Sequence, residues 1–199
     1  MGRLKIGVTI ATIGVLALGG CAQYYYTGDH PVPFHAKATI RGPGIFGEAT
    51  LTEEREGRVR LLLTLAGTSA SKLTPGRHAI HIHETGQCEP LSAAKGHFDG
   101  NVDPAVNPNA NVSPGLENHP YHLGDLPNLL VIELPNGERR GSLLTVTSRI
   151  TLSLGLNSVF DHDGSALVIH EFEDRYLPDP PHKDAPGGPR IACGVIERK

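Results

Sequence analysis

Tryptophan is missing from this chain of 199 residues, and methionine occurs once. Glycine and proline are plentiful instead, at 24 and 16. Such a composition favours strands and turns over long helices. No long amphipathic helix can be traced, and no segment repeats. Runs of lysine and arginine are also lacking, and the formal net charge is −3, which argues against a nucleic-acid partner. With 39% hydrophobic residues, the length suits one globular domain with a modest core.

The N-terminus is of another kind. Arg3 and Lys5 make a short basic start, and Ile6 to Gly20 is apolar and free of charge. As a helix that stretch reaches roughly 22 Å, short of the ~30 Å hydrocarbon core. It suits a signal peptide better than a membrane span. The ending "LGGC" resembles a bacterial lipobox, which implies cleavage before Cys21 and lipid on its sulfur. A plain secretory peptide is the other reading. Residues 1–20 are then a lipoprotein signal peptide, 21–34 a lipid-anchored tether and 35–199 the folded domain. Ala22 suggests sorting to the outer membrane.

Only three cysteines occur, an odd number for an oxidising compartment. With lipid on Cys21, Cys88 and Cys193 are left as a possible pair, and two free buried thiols are the alternative. A bond between them would be worth about 4–5 kcal/mol in the chain-entropy treatment.

The rest reads as short β-like runs at 35–40, 46–54, 58–67, 78–83, 128–135, 141–148 and 166–172, broken by Gly, Pro and Asn. Closely spaced short strands predict an all-β antiparallel sandwich or barrel. Residues 98–121 and 173–190 are long and rich in proline, so they read as two functional loops.

"HAIHIHETGQC" (78–88) carries the chemistry. In a strand, residues i and i+2 share a face, so His81 and His83 project together while His78 points the other way. Neutral imidazole is a common copper and zinc ligand. Alone the pair is a weak signal, but His97, His119, His122 with Asp125, and His170 lie in or beside the two loops. His30, His35, His78, His162 and His182 are read as surface residues.

"HIHETGQC", "GHFDG", "HLGDLPN", "ALVIHEFED" and "GGPRIACGVI", in that order, resemble the exported bacterial copper/zinc superoxide dismutases. The resemblance spans residues 78–196 and weakens back to about residue 35. It implies a Greek-key antiparallel β-barrel or immunoglobulin-like sandwich. Copper would be held by His81, His83, His97 and His170, with His97 bridging to zinc. Zinc would take His97, His122 and Asp125. The family's remaining zinc histidine falls at Pro114, which has no side-chain ligand, so His119 is the nearest substitute. Asp174 would join the outer nitrogens of the two metal sites. Arg190 would guide the anion, helped by Lys183 and positioned by a Cys88–Cys193 disulfide.

The implied activity is dismutation of superoxide to O2 and hydrogen peroxide by a copper alternating between two oxidation states, with His97 carrying a proton and zinc structural. The implied setting is the periplasmic face of a bacterial envelope. The resemblance fixes no oligomeric state. Competing readings are a non-catalytic copper/zinc-binding lipoprotein and a zinc hydrolase using Glu84 or Glu89 as base.

Overall fold

The computed structural model describes residues 34–54, 57–100, 119–179 and 181–199. The expected signal peptide, Cys21, the expected tether up to residue 33 with His30, and Pro114 lie outside the described residues. Among the described residues nine strands follow one another: β1 Phe34–Gly42, β2 Ile45–Glu53, β3 Val59–Gly67, β4 Gly76–His78, β5 Ile80–His83, β6 Leu129–Glu133, β7 Arg139–Thr147, β8 Ala166–His170 and β9 Arg190–Arg198.

All strand pairings are antiparallel, in the order β4-β6-β7-β3-β2-β1-β9-β8-β5. β4 and β5 adjoin in the chain yet occupy the two ends of that order. One bent segment therefore bridges both edges and curls the sheet into a nearly closed barrel, leaving little exposed edge. The β3–β4 and β7–β8 connections jump across intervening strands, as a Greek key requires.

Period-2 alternation builds the core. Ala36, Ala38 and Ile40 of β1 and Leu61, Leu63 and Leu65 of β3 point inward and are buried. Each large aliphatic side chain so buried contributes about 1.5–3 kcal/mol. In β5, Ile80 and Ile82 join this core, which turns His81 and His83 to the outer face of the barrel wall. β8 is buried throughout, because its outer face is covered too. Ala166, Val168 and Cys193 pack there against Ala94, Leu91 and Cys88.

Several details differ from the expectation. The run 78–83 is two strands rather than one, broken at Ala79. β9 has no counterpart among the predicted strands, and a 3-10 turn at Leu91–Ala94 was not foreseen. The last predicted strand stops at His170, where the β8–β9 register shifts.

Candidate metal centre

The edge of β5 positions the site. Phe98 donates its N–H to the Ile82 carbonyl (2.9 Å), and Ile82 donates to the Gly124 carbonyl (2.9 Å). Two loop segments thus run along the strand, with His97 opposite His83 and Asp125 opposite His81. A Cβ on Gly124 would collide with the Ile82 carbonyl, so glycine permits this close approach.

His81, His83, His97 and His170 converge, each offering a ring nitrogen within 4.8 Å of the others. Hydrogen bonds assign the free nitrogens. His83 donates from Nδ1 to the Lys95 carbonyl (2.9 Å), and His170 from Nδ1 to the Gly188 carbonyl (2.8 Å). Their Nε2 atoms, 3.4 Å apart, are then both lone pairs. His81 donates from Nε2 to Asp174 Oδ2 (3.0 Å), while its buried Nδ1 has no hydrogen-bond partner among the described residues. Lone pairs aimed at one another, with an orphaned buried nitrogen beside them, are what a bound cation would satisfy. A four-nitrogen donor set suits copper.

Burial keeps these rings neutral. It lowers His81, takes His83 well below the ordinary imidazole value, and brings His97 to about 4 and His170 to about 3. The Arg190 charge adds a smaller depression at His83 and His170.

Three imidazoles surround Asp125, all by Nδ1. His97 lies 2.7 Å from Oδ1, and His122 and His119 lie 3.1 and 3.4 Å from Oδ2. The donors that lie within 4.8 Å of one another here are His81, His97, His119 and Asp125, while His122 joins through Asp125 without entering that cluster. Three nitrogens and one carboxylate oxygen are the kind of donor set that zinc takes. His119 is buried and reaches Asp174 Oδ1 through Nε2 (2.9 Å). Burial lowers its proton affinity, but hydrogen bonds and charge from Asp125 and Asp174 outweigh burial and raise it to about 9. Both carboxylates are pushed well below the usual range, since histidine hydrogen bonds outweigh the cost of burial.

Asp174 therefore spans the two groups, with one oxygen on His81 and the other on His119. Arg190 is half-buried, donating from Nη1 to the Leu91 carbonyl (2.8 Å) and from Nη2 to the Lys95 carbonyl. Cys88 and Cys193 are joined as a disulfide with Cα atoms 5.6 Å apart. It ties the segment carrying those carbonyls to β9.

Residues 45–196 match the sequence profile of copper/zinc superoxide dismutase (SODC). The chain belongs to that family. Superoxide dismutase [Cu-Zn] 2 of Aquifex aeolicus (strain VF5) is 36% identical over 168 residues, covering 81% of this chain and 85% of the relative. Superoxide dismutase [Cu-Zn] of Legionella pneumophila is 32% identical over 199 residues, covering 98% of each. Among solved structures, a double mutant of a SOD-like protein from Bacillus subtilis shares 31% identity at TM-score 0.54, over 81% of this chain and 97% of that one. The clock protein EA4 shares 28% at TM-score 0.58, over 82% and 94%. The family's metals are copper and zinc, and the two donor sets accommodate them.

One histidine differs from the sequence expectation. His78 is buried rather than on the surface, with Nδ1 2.8 Å from the His170 carbonyl and Nε2 2.8 Å from that of Thr74. It braces the backbone of His170, a member of the four-histidine group. Its place in an apolar β-favouring run was the available signal. His35, His162 and His182 are exposed, as is Lys183. Asn128, Tyr176 and the Lys95 carbonyl had no local signal; all three act through bonds to residues distant in the chain.

Proposed function

We propose that the chain dismutates superoxide with copper on His81, His83, His97 and His170 and zinc on His97, His119, His122 and Asp125. The observation that carries this is the convergence of four uncharged imidazoles, two with Nε2 lone pairs 3.4 Å apart. Copper, when bound, supplies two accessible oxidation states, and zinc a redox-inert support.

The chain's own residues do the rest. Arg190, fixed by two carbonyls, presents a positive charge beside His83 and His170, where an anion would be drawn despite the acidic net charge. His97 turns Nδ1 to Asp125, which leaves Nε2 toward the copper group as the atom able to hold and release a proton. Asp174 fixes the ring planes of His81 and His119.

Location belongs to the same proposal. The lipobox-like "LGGC" supports export, lipidation of Cys21 and a periplasmic site anchored to the envelope, and Ala22 after it supports the outer membrane. There the enzyme would remove an anion that crosses membranes poorly.

The test is superoxide consumption by protein loaded with copper and zinc, beside His81→Ala and His170→Ala variants. Activity well above free copper, lost in both variants, is the expected result. Wild-type protein no faster than free copper would overturn the assignment. Incorporation of labelled fatty acid into the full chain, but not into Cys21→Ser, tests the anchor.

A further inference from the structure

Asp174 joins His81 of one group of histidines to His119 of the other, and its own setting is unusual. Asn128 grips its backbone twice. The Asp174 N–H donates to Asn128 Oδ1 (2.8 Å), and Asn128 Nδ2 donates to the Asp174 carbonyl (2.8 Å). Tyr176 completes a ring of contacts. Its N–H donates to Asp174 Oδ1 (2.6 Å), and its hydroxyl accepts the Asn128 N–H (2.8 Å).

Tyr176 makes both contacts from a left-handed backbone, φ +54. A bulky aromatic residue seldom adopts that conformation. It persists where neighbouring structure over-determines it, and such residues gather at functional sites. Here the surroundings qualify. Asp174 is bridged to Pro186, Asp179 is bridged to His119, and Tyr176 lies between those two pairings. Its ring also borders the surface cavity that Asp125 and Pro120 line.

The bond directions show what this achieves. Oδ1 of Asp174 receives Tyr176 N–H and His119 Nε2–H, while Oδ2 receives His81 Nε2–H. A carboxylate free to swing could not keep both imidazoles in place. The Tyr176 N–H sets its rotation, and the Tyr176 hydroxyl holds the Asn128 clamp that sets its position.

We propose that Tyr176 is a positioning residue of the two-metal centre, acting through Asn128 and Asp174 on His81 and His119 together. The inference rests on the metal assignment above.

The experiment uses the full chain as Tyr176→Phe, which keeps the ring and removes only the hydroxyl. Zinc affinity is read by competition with a chromophoric chelator, and the Cu(II) site by its electron paramagnetic resonance spectrum. Loss of outer-shell partners costs about 10–100-fold in metal affinity. A residue one bond further out should weaken zinc about tenfold and alter the Cu(II) spectrum. A merely structural hydroxyl would lower the melting temperature of the metal-free protein and leave both readouts unchanged; that result overturns the inference. Asn128→Ala and the double variant add a second arm. If both residues act through Asp174, their effects on zinc affinity fall short of additive, whereas additive effects overturn the shared route. His119→Ala reports on the parent assignment. Zinc lost there but retained by Tyr176→Phe overturns this inference alone; zinc retained in both overturns the two together.

Discussion

The guanidinium of Arg190 donates to the carbonyl of Lys95, the same oxygen that takes the Nδ1–H of His83. The guanidinium charge and an imidazole of the four-histidine group thus share one acceptor. Arg190→Lys keeps the charge but lacks the planar fork that reaches Leu91 and Lys95 together. We expect kcat/KM for superoxide to fall roughly tenfold, about 1.4 kcal/mol of transition-state stabilisation, with copper content unchanged. Assays at matched copper loading check this, and an unchanged kcat/KM would show that the fork is dispensable.

Lys95 holds that carbonyl from a backbone at φ 59 and ψ −141. Non-glycine residues in sparsely populated regions cost of order 1–3 kcal/mol. Lys95→Gly removes the strain at the expense of backbone entropy and of the exposed Lys95–Asp163 contact at 3.4 Å, itself worth little. A net gain of about 1 kcal/mol in denaturant unfolding is expected, with dismutation retained because the carbonyl stays. A destabilised variant would refute the strain argument.

Opposite responses to pH are expected from the two halves of the centre. Burial holds His97 at about 4 and His170 at about 3, whereas Asp125 and Asp174 outweigh burial and hold His119 at about 9. Unfolded histidines titrate near 6.5. Below that value the unfolded chain gains protons that buried His97 and His170 refuse, so their contribution to stability is lost as pH falls from about 6.5 to about 3. The contribution of His119 is complete below about 6.5 and fades as pH rises through about 9. Metal binding follows the same signs. At pH 7.5 zinc added alone should expel roughly one proton from His119 and copper added alone none from the buried rings; the metal added second should release one more, because His97 cannot ligate through both nitrogens and keep its proton. Titration with a pH-indicator dye in weak buffer distinguishes the two, and equal proton release would contradict the assignment.

Reduction of the Cys88–Cys193 bridge should act twice. The cysteines lie 105 residues apart, and loss of a native bond of this type costs about 2–5 kcal/mol. It also frees the segment whose Leu91 and Lys95 carbonyls orient Arg190. Cys88→Ser with Cys193→Ser should therefore lower both the melting temperature and kcat/KM. Lower stability with full activity would mean that the 3-10 turn holds the carbonyls unaided.

Composition and alternation determined a good deal. Frequent glycine and proline, with no long amphipathic run, declared the β class. A period of two put His81 and His83 on one face, a consequence of strand geometry that needs no tertiary contact. The order of short motifs around His97, His122, Asp125 and His170 pointed to the family.

Folding alone decided the remainder. His78 became a brace because a carbonyl 92 residues onward came to rest 2.8 Å from its ring. His119 met Asp174 across 55 residues, and Asn128 met it across 46. The break at Ala79 that sends one strand to both edges of the sheet exists because the barrel must close. Side-chain periodicity is a local property of the backbone and can be read along the chain. A hydrogen bond depends on where two distant segments are brought to rest, and only the packed barrel brings these together.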